Sequence, residues 1–296
     1  MPTLVVTTYI NHKEIRMHRI EIVVNSHCDL NCKYCNRHAS VCPHTDIYHP
    51  DDVRNDLKHL LSLGHKFDVI CFTGGEPTIN QYFWDYLKIA HELNIGVIYV
   101  ATNGKYLARA SDDVLDKLVL HKVNLIISVY PELSRIDYDS LFARLNAKRI
   151  PFIKRTVTYF KNYNDNKRRY LMLKLRLSEK ERDLTYVKCF QQMYNCGELQ
   201  HGIFYKCGVM CNLKHIDTKF GTKLNDMLVE DRDYVNIRNI TTFNKTIDAY
   251  TSDKPVGAIL PFCKHCSAGY DHGINGKFVK WNYSTKDRIE FIEEES

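Results

Sequence analysis

The sequence lacks a long hydrophobic run: within its 296 residues, no apolar stretch approaches the ~18–20 residues that cross a bilayer. Residues 1–11 also lack the basic start and apolar core of a signal peptide. No internal repeat or low-complexity segment is visible. These absences exclude the integral-membrane classes, and we expect a cytoplasmic protein with no membrane partner.

A large excess of one charge is absent as well, since 41 basic residues face 35 acidic ones and the formal net charge is +6. Basic and aromatic side chains are spread too evenly to define a surface for nucleic acid. Nucleic acid is therefore not the expected partner, although modification of a nucleotide or of a nucleic-acid base stays open as an alternative.

Cysteine, in contrast, is abundant, with 11 residues. Disulfides are rare in the reduced compartment that we expect for this protein, so the cysteines need another explanation. An odd number of cysteines, several of them closely spaced, indicates metal ligation.

Short β-rich runs alternate with helical patterns over the first two thirds of the chain. The predicted strands are 19–26, 67–72, 96–101, 123–129, 152–158 and 170–177, and the predicted helices are 51–63, 81–93, 112–120, 138–147 and 184–194, with Ser111 as the N-cap of the third helix. Repeated strand–helix units imply parallel strands with right-handed crossovers. We therefore predict an α/β fold, a partial (β/α)6 TIM-like barrel with its chemistry at the carboxyl ends of the strands.

Helical periodicity fades after residue 195, while glycine and cysteine become more frequent. The predicted organisation is an N-terminal extension (1–18), a barrel (19–195) and a small Cys-rich subdomain with a tail (196–296).

Three cysteines stand within eight residues directly after the first predicted strand: Cys28, Cys32 and Cys35. Three thiolates on one loop can ligate three corners of a cubane cluster and leave the fourth iron open to an outside ligand. A structural zinc site is the alternative, and it needs a fourth protein ligand. The nearby candidates for that ligand are His27, His38, Cys42 and His44.

The CxxxCxxC spacing, with Tyr34 just before the last cysteine, resembles the signature of the radical S-adenosylmethionine (SAM) superfamily. The resemblance covers about residues 19–180. It implies a [4Fe–4S] cluster whose open iron is chelated by S-adenosylmethionine, reductive cleavage of that cofactor to a 5′-deoxyadenosyl radical, and abstraction of a substrate hydrogen. It also implies an electron donor such as flavodoxin or ferredoxin, and it places Tyr34 near the adenine.

Residues 73–78 (TGGEPT), at the end of the second predicted strand, resemble the GGEP motif of the same superfamily. Gly74 and Gly75 would let the backbone approach the cofactor closely. Glu76 would accept a hydrogen bond near an ammonium group.

Three further positions are candidates for contacts with S-adenosylmethionine. Asn103 and Ser128, in or after the third and fourth strands, would hydrogen-bond the ribose or the carboxylate. Arg176, near the end of the sixth strand, would pair with the carboxylate. Turn or surface roles are the alternatives for all three.

The second set of cysteines consists of Cys196 and Cys207 around a glycine-centred hairpin, and of Cys263 and Cys266 far downstream. Two distant pairs can form a four-thiolate site, which would also help to fold the subdomain. The pattern resembles a SPASM/Twitch extension and implies a second, auxiliary [4Fe–4S] cluster, either redox-active or structural. Alternatives are a four-thiolate zinc site, or Cys189 or Cys211 in place of one ligand.

The resemblance implies a radical SAM oxidoreductase or a related radical-modifying enzyme. We expect oxidation or rearrangement of a small polar molecule, of the sugar or nucleotide type. The alternative is radical modification of a ribosomal peptide or protein side chain, which the short segment before residue 19 disfavours because no leader-binding domain fits there. The molybdenum-cofactor cyclase is disfavoured by the absence of a terminal double glycine and of a third cysteine after Cys266. The alternative of another class is a non-catalytic metal-binding module.

Overall fold

The computed structural model describes residues 18–30, 32, 35, 37–130, 136–156, 159–161, 197–252, 260–265 and 278–280. Five residues singled out above lie outside this set, namely Tyr34, Arg176, Cys189, Cys196 and Cys266. The predicted strand 170–177 and helix 184–194 lie outside it as well.

The first half of the chain alternates strands and helices, as predicted. The strands are β1 (Arg19–Asn25), β2 (Val69–Gly74), β3 (Val97–Thr102), β4 (Val123–Val129) and β5 (Phe152–Thr156). The helices are α1 (Pro50–Ser62), α2 (Phe83–Glu92), α3 (Lys105–Arg109), α4 (Asp112–Leu120) and α5 (Tyr138–Ala147). The strands are parallel neighbours in the order β5-β4-β3-β2-β1, which confirms the mixed α/β fold of the partial-barrel kind.

Local sequence explains why these elements form. All six residues of β2 are buried, as in a parallel strand that is covered on both faces. Helix α1 begins with a proline at its first turn and buries Val53, Leu57 and Leu60 at helical spacing. Ser111 does precede α4, but its side chain makes no capping hydrogen bond.

The C-terminal part continues the same sheet. Its strands are β7 (Glu198–Gln200), β8 (Ile203–Tyr205) and β9 (Tyr234–Asn236), and its helices are α6 (Leu213–Phe220) and α7 (Lys245–Thr251). Strand β7 pairs with β1 in parallel, on the side away from β2, and β8 and β9 follow antiparallel. The predicted boundary at residue 195 stays a prediction, but the segment after it is joined to the barrel sheet through β7.

A two-residue turn, His201–Gly202, closes the predicted hairpin between β7 and β8. Both residues have positive φ, 50° and 78°, as a turn that matches the twist of the strands requires. A separate two-stranded antiparallel sheet pairs β6 (Tyr159–Lys161) with β10 (Phe278–Lys280). None of the helices in the described residues is long and apolar enough to cross a membrane.

Strand β1 separates the core from the cavity described below. Ile20, Ile22 and Val24 join the hydrophobic core. Arg19 and Glu21, which alternate with them, line the cavity. Because side chains of a strand point alternately to its two faces, one face of β1 is apolar and the other carries charge.

Candidate functional site

A cavity of about 340 Å³ lies where the carboxyl ends of the parallel strands meet. It brings together eight of the residues predicted from the sequence: Cys28, Cys32, Cys35, Gly74, Gly75, Glu76, Asn103 and Ser128. They come from four segments that parallel pairing places side by side, the loop after β1 and the ends of β2, β3 and β4.

The GGEP turn packs directly on the segment that leads into the first cysteine loop, residues 28–35, which carries Cys28, Cys32 and Cys35. The Gly75 amide donates to the Asn25 carbonyl (2.8 Å), and the Glu76 amide donates to the His27 carbonyl (3.0 Å). A Cβ atom on Gly75 would lie 1.9 Å from the His27 oxygen, and one on Gly74 would lie 2.1 Å from the Asn25 oxygen. The two glycines therefore allow a close approach between two protein segments, while an approach to the cofactor stays a prediction.

The Glu76 carboxylate is buried and holds the ends of β2 and β3 together. Its Oε1 accepts from the Thr78 hydroxyl (2.6 Å) and amide (3.1 Å) and from the Thr102 hydroxyl (2.7 Å). Its Oε2 accepts from the Asn103 amide (2.7 Å). Burial raises the pKa of Glu76, and these hydrogen bonds oppose the rise. Four protein donors surround the carboxylate, so its predicted contact with an ammonium group would be an additional one.

Asn103 orients the start of the first cysteine loop. Its side-chain Nδ2 lies 2.9 Å from Asp29 Oδ1 and 3.7 Å from Cys28 Sγ. Its Oδ1 accepts from the Lys105 amide at 2.8 Å, and the Lys105 ammonium lies 3.0 Å from Asp29 Oδ2. Asn103 thus fixes the position of Cys28, a role that the predicted contact with ribose or carboxylate did not include.

Cys32 and Cys35 lie close enough to Cys28 to influence the pKa of its thiol. Burial raises the pKa of Cys28 most, and the Glu76 carboxylate and the other two thiols, Cys32 and Cys35, raise it further. The Leu30 amide, which donates to Cys28 Sγ at 3.3 Å, opposes the rise. Thiolates in such a place need a positive charge between them, which the irons of a cluster supply. The donor set therefore fits a [4Fe–4S] cluster with three protein ligands.

No three His, Cys, Asp or Glu side chains of the described ranges converge closely enough to hold a single metal ion. The same holds for Cys28, Cys32 and Cys35, for which the fitting group is a four-iron cluster and not a single ion. In the second set, Cys207 and Cys263 are described and half-buried. Cys211 is buried, its thiol donates to Glu198 Oε2 at 3.3 Å, and burial raises its pKa to about 12. The auxiliary ligand set stays a prediction.

Asp233 brings Cys207 and Cys263, one from each cysteine pair of the second set, into the same region. Its backbone carbonyl accepts from the amide of Lys206, which precedes Cys207, at 3.0 Å. Its carboxylate accepts from the amide of Phe262, which precedes Cys263, at 2.9 Å. Cys207 and Cys263, 56 positions apart in the sequence, thus each follow a residue that is hydrogen-bonded to Asp233.

The cavity also contains charged residues that the sequence analysis missed. Arg37 pairs with Glu198, and its Nη2 lies 3.5 Å from Glu21, which in turn pairs with Arg19 at 2.7 Å. The alternation of charged and apolar residues in the first strand could have indicated that Arg19 and Glu21 share the face opposite the core. Nothing local in the sequence marked Arg37 and Glu198.

Arg155, on β5, is a further cavity residue that the sequence analysis missed. It lines the cavity beside Ser128, its register partner on β4. It forms no ion pair with any residue of the described part of the chain, unlike Arg19 and Arg37. The alternation within the predicted strand 152–158 could have placed Arg155 on the same face as the other cavity residues.

Comparison with known proteins places these features in a family. The model of the radical SAM superfamily matches residues 22–171, just over half of the chain. The chain belongs to the radical SAM superfamily. Membership implies that this radical SAM protein is an enzyme that uses S-adenosylmethionine and a [4Fe–4S] cluster.

Relatives of this radical SAM protein resemble it over part of the chain. A Thermoplasma volcanium protein described as a probable GTP 3′,8-cyclase is 29% identical over 115 residues, 38% of this chain and 33% of that protein. A Methanocaldococcus jannaschii 7,8-dihydro-6-hydroxymethylpterin dimethyltransferase is 29% identical over 96 residues, 32% of this chain and 18% of that protein. The matches thus span about a third or less of these relatives. Among solved structures, BtrN in complex with AdoMet and 2-DOIA aligns with a TM-score of 0.40 at 20% identity, covering 48% of this chain and 57% of that chain.

Proposed function

We propose that this protein cleaves S-adenosylmethionine reductively and takes a hydrogen atom from a small polar molecule, of the sugar or nucleotide type, which is then oxidised or rearranged. The observation that carries the proposal is the single cavity that holds the three thiols, the GGEP turn, Asn103 and Ser128. When bound, the cluster would pass one electron, taken from an outside donor such as flavodoxin or ferredoxin, to S-adenosylmethionine, whose C5′–sulfur bond would then break to give methionine and a 5′-deoxyadenosyl radical.

The residues of this chain would bind and orient the two groups. Cys28, Cys32 and Cys35 would hold the cluster, with Asn103 keeping Cys28 in place. Arg155 would bind the carboxylate of S-adenosylmethionine, because it is a cavity guanidinium without an ion-pair partner among the described residues. Ser128 lies beside Arg155. The same role for Arg176, which lies outside the described residues, stays a prediction.

The polarity of the cavity supports a small polar substrate. Arg19, Glu21, Arg37 and Glu198 form a wall of mixed charge, which matches hydroxyl, amino or phosphate groups better than an apolar side chain. The names of the two curated relatives support the same class, since they refer to GTP and to a hydroxymethylpterin.

For the second set of cysteines, we propose an auxiliary [4Fe–4S] cluster bound by Cys196, Cys207, Cys263 and Cys266. The support is Asp233, which hydrogen-bonds the residues before Cys207 and Cys263. Cys211 is disfavoured as a ligand because it is buried against Glu198.

The decisive experiment measures iron, sulfide and the electron paramagnetic resonance spectrum of anaerobically reconstituted protein, together with 5′-deoxyadenosine formation. Wild type is compared with a Cys28/Cys32/Cys35→Ala variant and with Cys263→Ala. We expect about eight irons in wild type and about four in either variant. Cleavage should disappear in the triple variant and persist in Cys263→Ala, which should lose product formation.

Other outcomes separate the two parts of the proposal. About four irons in wild type and none in the triple variant would remove the auxiliary cluster and leave the radical chemistry. Wild type that binds iron but forms no 5′-deoxyadenosine would refute the proposed reaction. For the substrate class, nucleotides and aminosugars should stimulate 5′-deoxyadenosine formation more than peptides of mixed sequence, and the reverse order would favour peptide modification.

A further inference from the structure

Asn212, immediately before α6, contacts both ends of the first cysteine loop. It is fully buried. Its side-chain Nδ2 donates to the carbonyl of Arg37, two residues after Cys35, at 2.6 Å. Its Oδ1 lies 2.7 Å from the hydroxyl of Ser26, two residues before Cys28. One side chain from the C-terminal part therefore spans the two points where this loop leaves and rejoins the rest of the protein.

The orientation of the Asn212 amide is determined by its partners. A backbone carbonyl can only accept a hydrogen bond, so the nitrogen must face Arg37 and the oxygen must face Ser26. Gln200, on β7, supports the oxygen side because its Nε2 donates to the Ser26 hydroxyl at 2.8 Å. The Ser26 hydroxyl has one hydrogen, for which Asp46 and Asn212 Oδ1 compete, and Gln200 Nε2 also lies 3.5 Å from Asn212 Oδ1. A reversed amide would set two oxygens against each other in a buried site.

The contact at Arg37 belongs to a wider docking of the Cys207–Asn212 segment on the residues after Cys35. The imidazole Nε2 of His38 lies 3.1 Å from the Val209 carbonyl, and His38 is fully buried. The Arg37 guanidinium pairs with Glu198, whose Oε2 also accepts from the Cys211 thiol. The end of the first cysteine loop is thus held from one side by the C-terminal part.

We propose that Asn212 is a positioning residue for the first cysteine loop. By holding the backbone at Arg37 and the side chain at Ser26, it sets the separation of the loop ends and so the placement of the three cluster-binding thiols. It touches neither the thiols nor the cavity. The inference rests on the proposed function, because the placement of the thiols matters only if they bind a cluster.

The test substitutes Asn212→Asp, which keeps the shape but puts an oxygen against the Arg37 carbonyl. Asn212→Ser, which shortens the side chain and removes the contact without adding charge, is the second variant. Asp217→Asn, on the same helix, is the matched control: Asp217 accepts from the amides of Leu224 and Asn225 and has no contact with the cysteine loop. For each protein we would measure melting without metal, iron content, the spectrum of the reduced cluster with and without S-adenosylmethionine, and the rate of 5′-deoxyadenosine formation.

We expect both Asn212 variants to give an altered cluster spectrum on addition of S-adenosylmethionine and cleavage slowed by about tenfold or more, since a misplacement of 1 Å at a reacting centre costs up to about 100-fold. Asp217→Asn should keep the wild-type spectrum even where its melting temperature falls equally.

Three results would overturn the inference: Asn212 variants with the wild-type spectrum and rate, the same spectral change in Asp217→Asn, or failure of both Asn212 variants to fold, which would make the residue a requirement of the fold. Wild type without a cluster would instead refute the proposed function.

Discussion

Gly75→Ala tests the close packing of the GGEP turn on the segment before Cys28. The added Cβ would lie 1.9 Å from the His27 carbonyl oxygen and 2.6 Å from that of Ser26. Both neighbours are backbone atoms and cannot rotate away. To reach ordinary contact at 3.4 Å, the two segments would have to separate by about 1.5 Å.

The expected destabilisation follows from that separation. Overpacking costs about 1–3 kcal/mol. The hydrogen bonds from the Gly75 and Glu76 amides to Asn25 and His27 would break, at about 1 kcal/mol each. We therefore expect a free energy of unfolding about 3 kcal/mol or more below wild type. In protein that folds, displaced thiols should slow the cleavage of S-adenosylmethionine by about 100-fold.

Urea unfolding of the metal-free protein, followed by circular dichroism, measures this loss. Gly96→Ala is the matched control, because the Cβ there would meet only the Asp68 carbonyl oxygen at 3.6 Å, an ordinary contact. We expect the control to stay within about 1 kcal/mol of wild type. If Gly75→Ala unfolds at the same urea concentration as Gly96→Ala, the packing described between the GGEP turn and β1 is wrong.

Two further substitutions test the binding of the cofactor and the polar network beside the loop. Arg155→Ala should raise the KM for S-adenosylmethionine by about tenfold or more with unchanged iron content, because a charged hydrogen bond contributes about 1.5–3 kcal/mol. Arg109→Ala, an exposed residue on α3, is the control. Equal KM values for the two variants would contradict the proposed contact between Arg155 and the carboxylate of S-adenosylmethionine. Asp46→Asn should lower the free energy of unfolding at pH 7 by about 2 kcal/mol. Burial disfavours the charged Asp46, but hydrogen bonds from His201, His215 and Ser26 and the nearby Lys214 outweigh it, so its pKa lies well below the usual 3.8. The stabilisation by Asp46 is fully present above pH 3.8 and is lost as the pH falls through the lower folded-state pKa. In urea titrations, the difference in free energy of unfolding between wild type and Asp46→Asn should therefore be about 1 kcal/mol smaller at pH 3 than at pH 7. A difference that grows on acidification would refute this account.

The local sequence determined the element types and the kind of chemistry. Helices α4 and α5 and strand β4 have the predicted bounds, because an apolar stripe at the helical period and a buried strand are properties of neighbouring residues. Helix α3, only five residues long, was missed because so short a segment carries no readable stripe. The spacing of Cys28, Cys32 and Cys35 was sufficient to indicate the superfamily, since one short loop supplies all three thiols.

The tertiary structure alone decided which distant residues surround those thiols. Ser26 and Asn212, 186 positions apart, meet because β7 pairs with β1 on the side away from β2, and no local pattern specifies that edge. Likewise Arg155 lies beside Ser128 only through the register of β5 on β4. Strand order and register depend on the packing of the whole sheet, whereas spacing and periodicity are written into each segment. The sequence therefore predicted the thiols that indicate the chemistry, together with Gly75 and Asn103 beside them, but it did not predict Asn212, which contacts both ends of their loop.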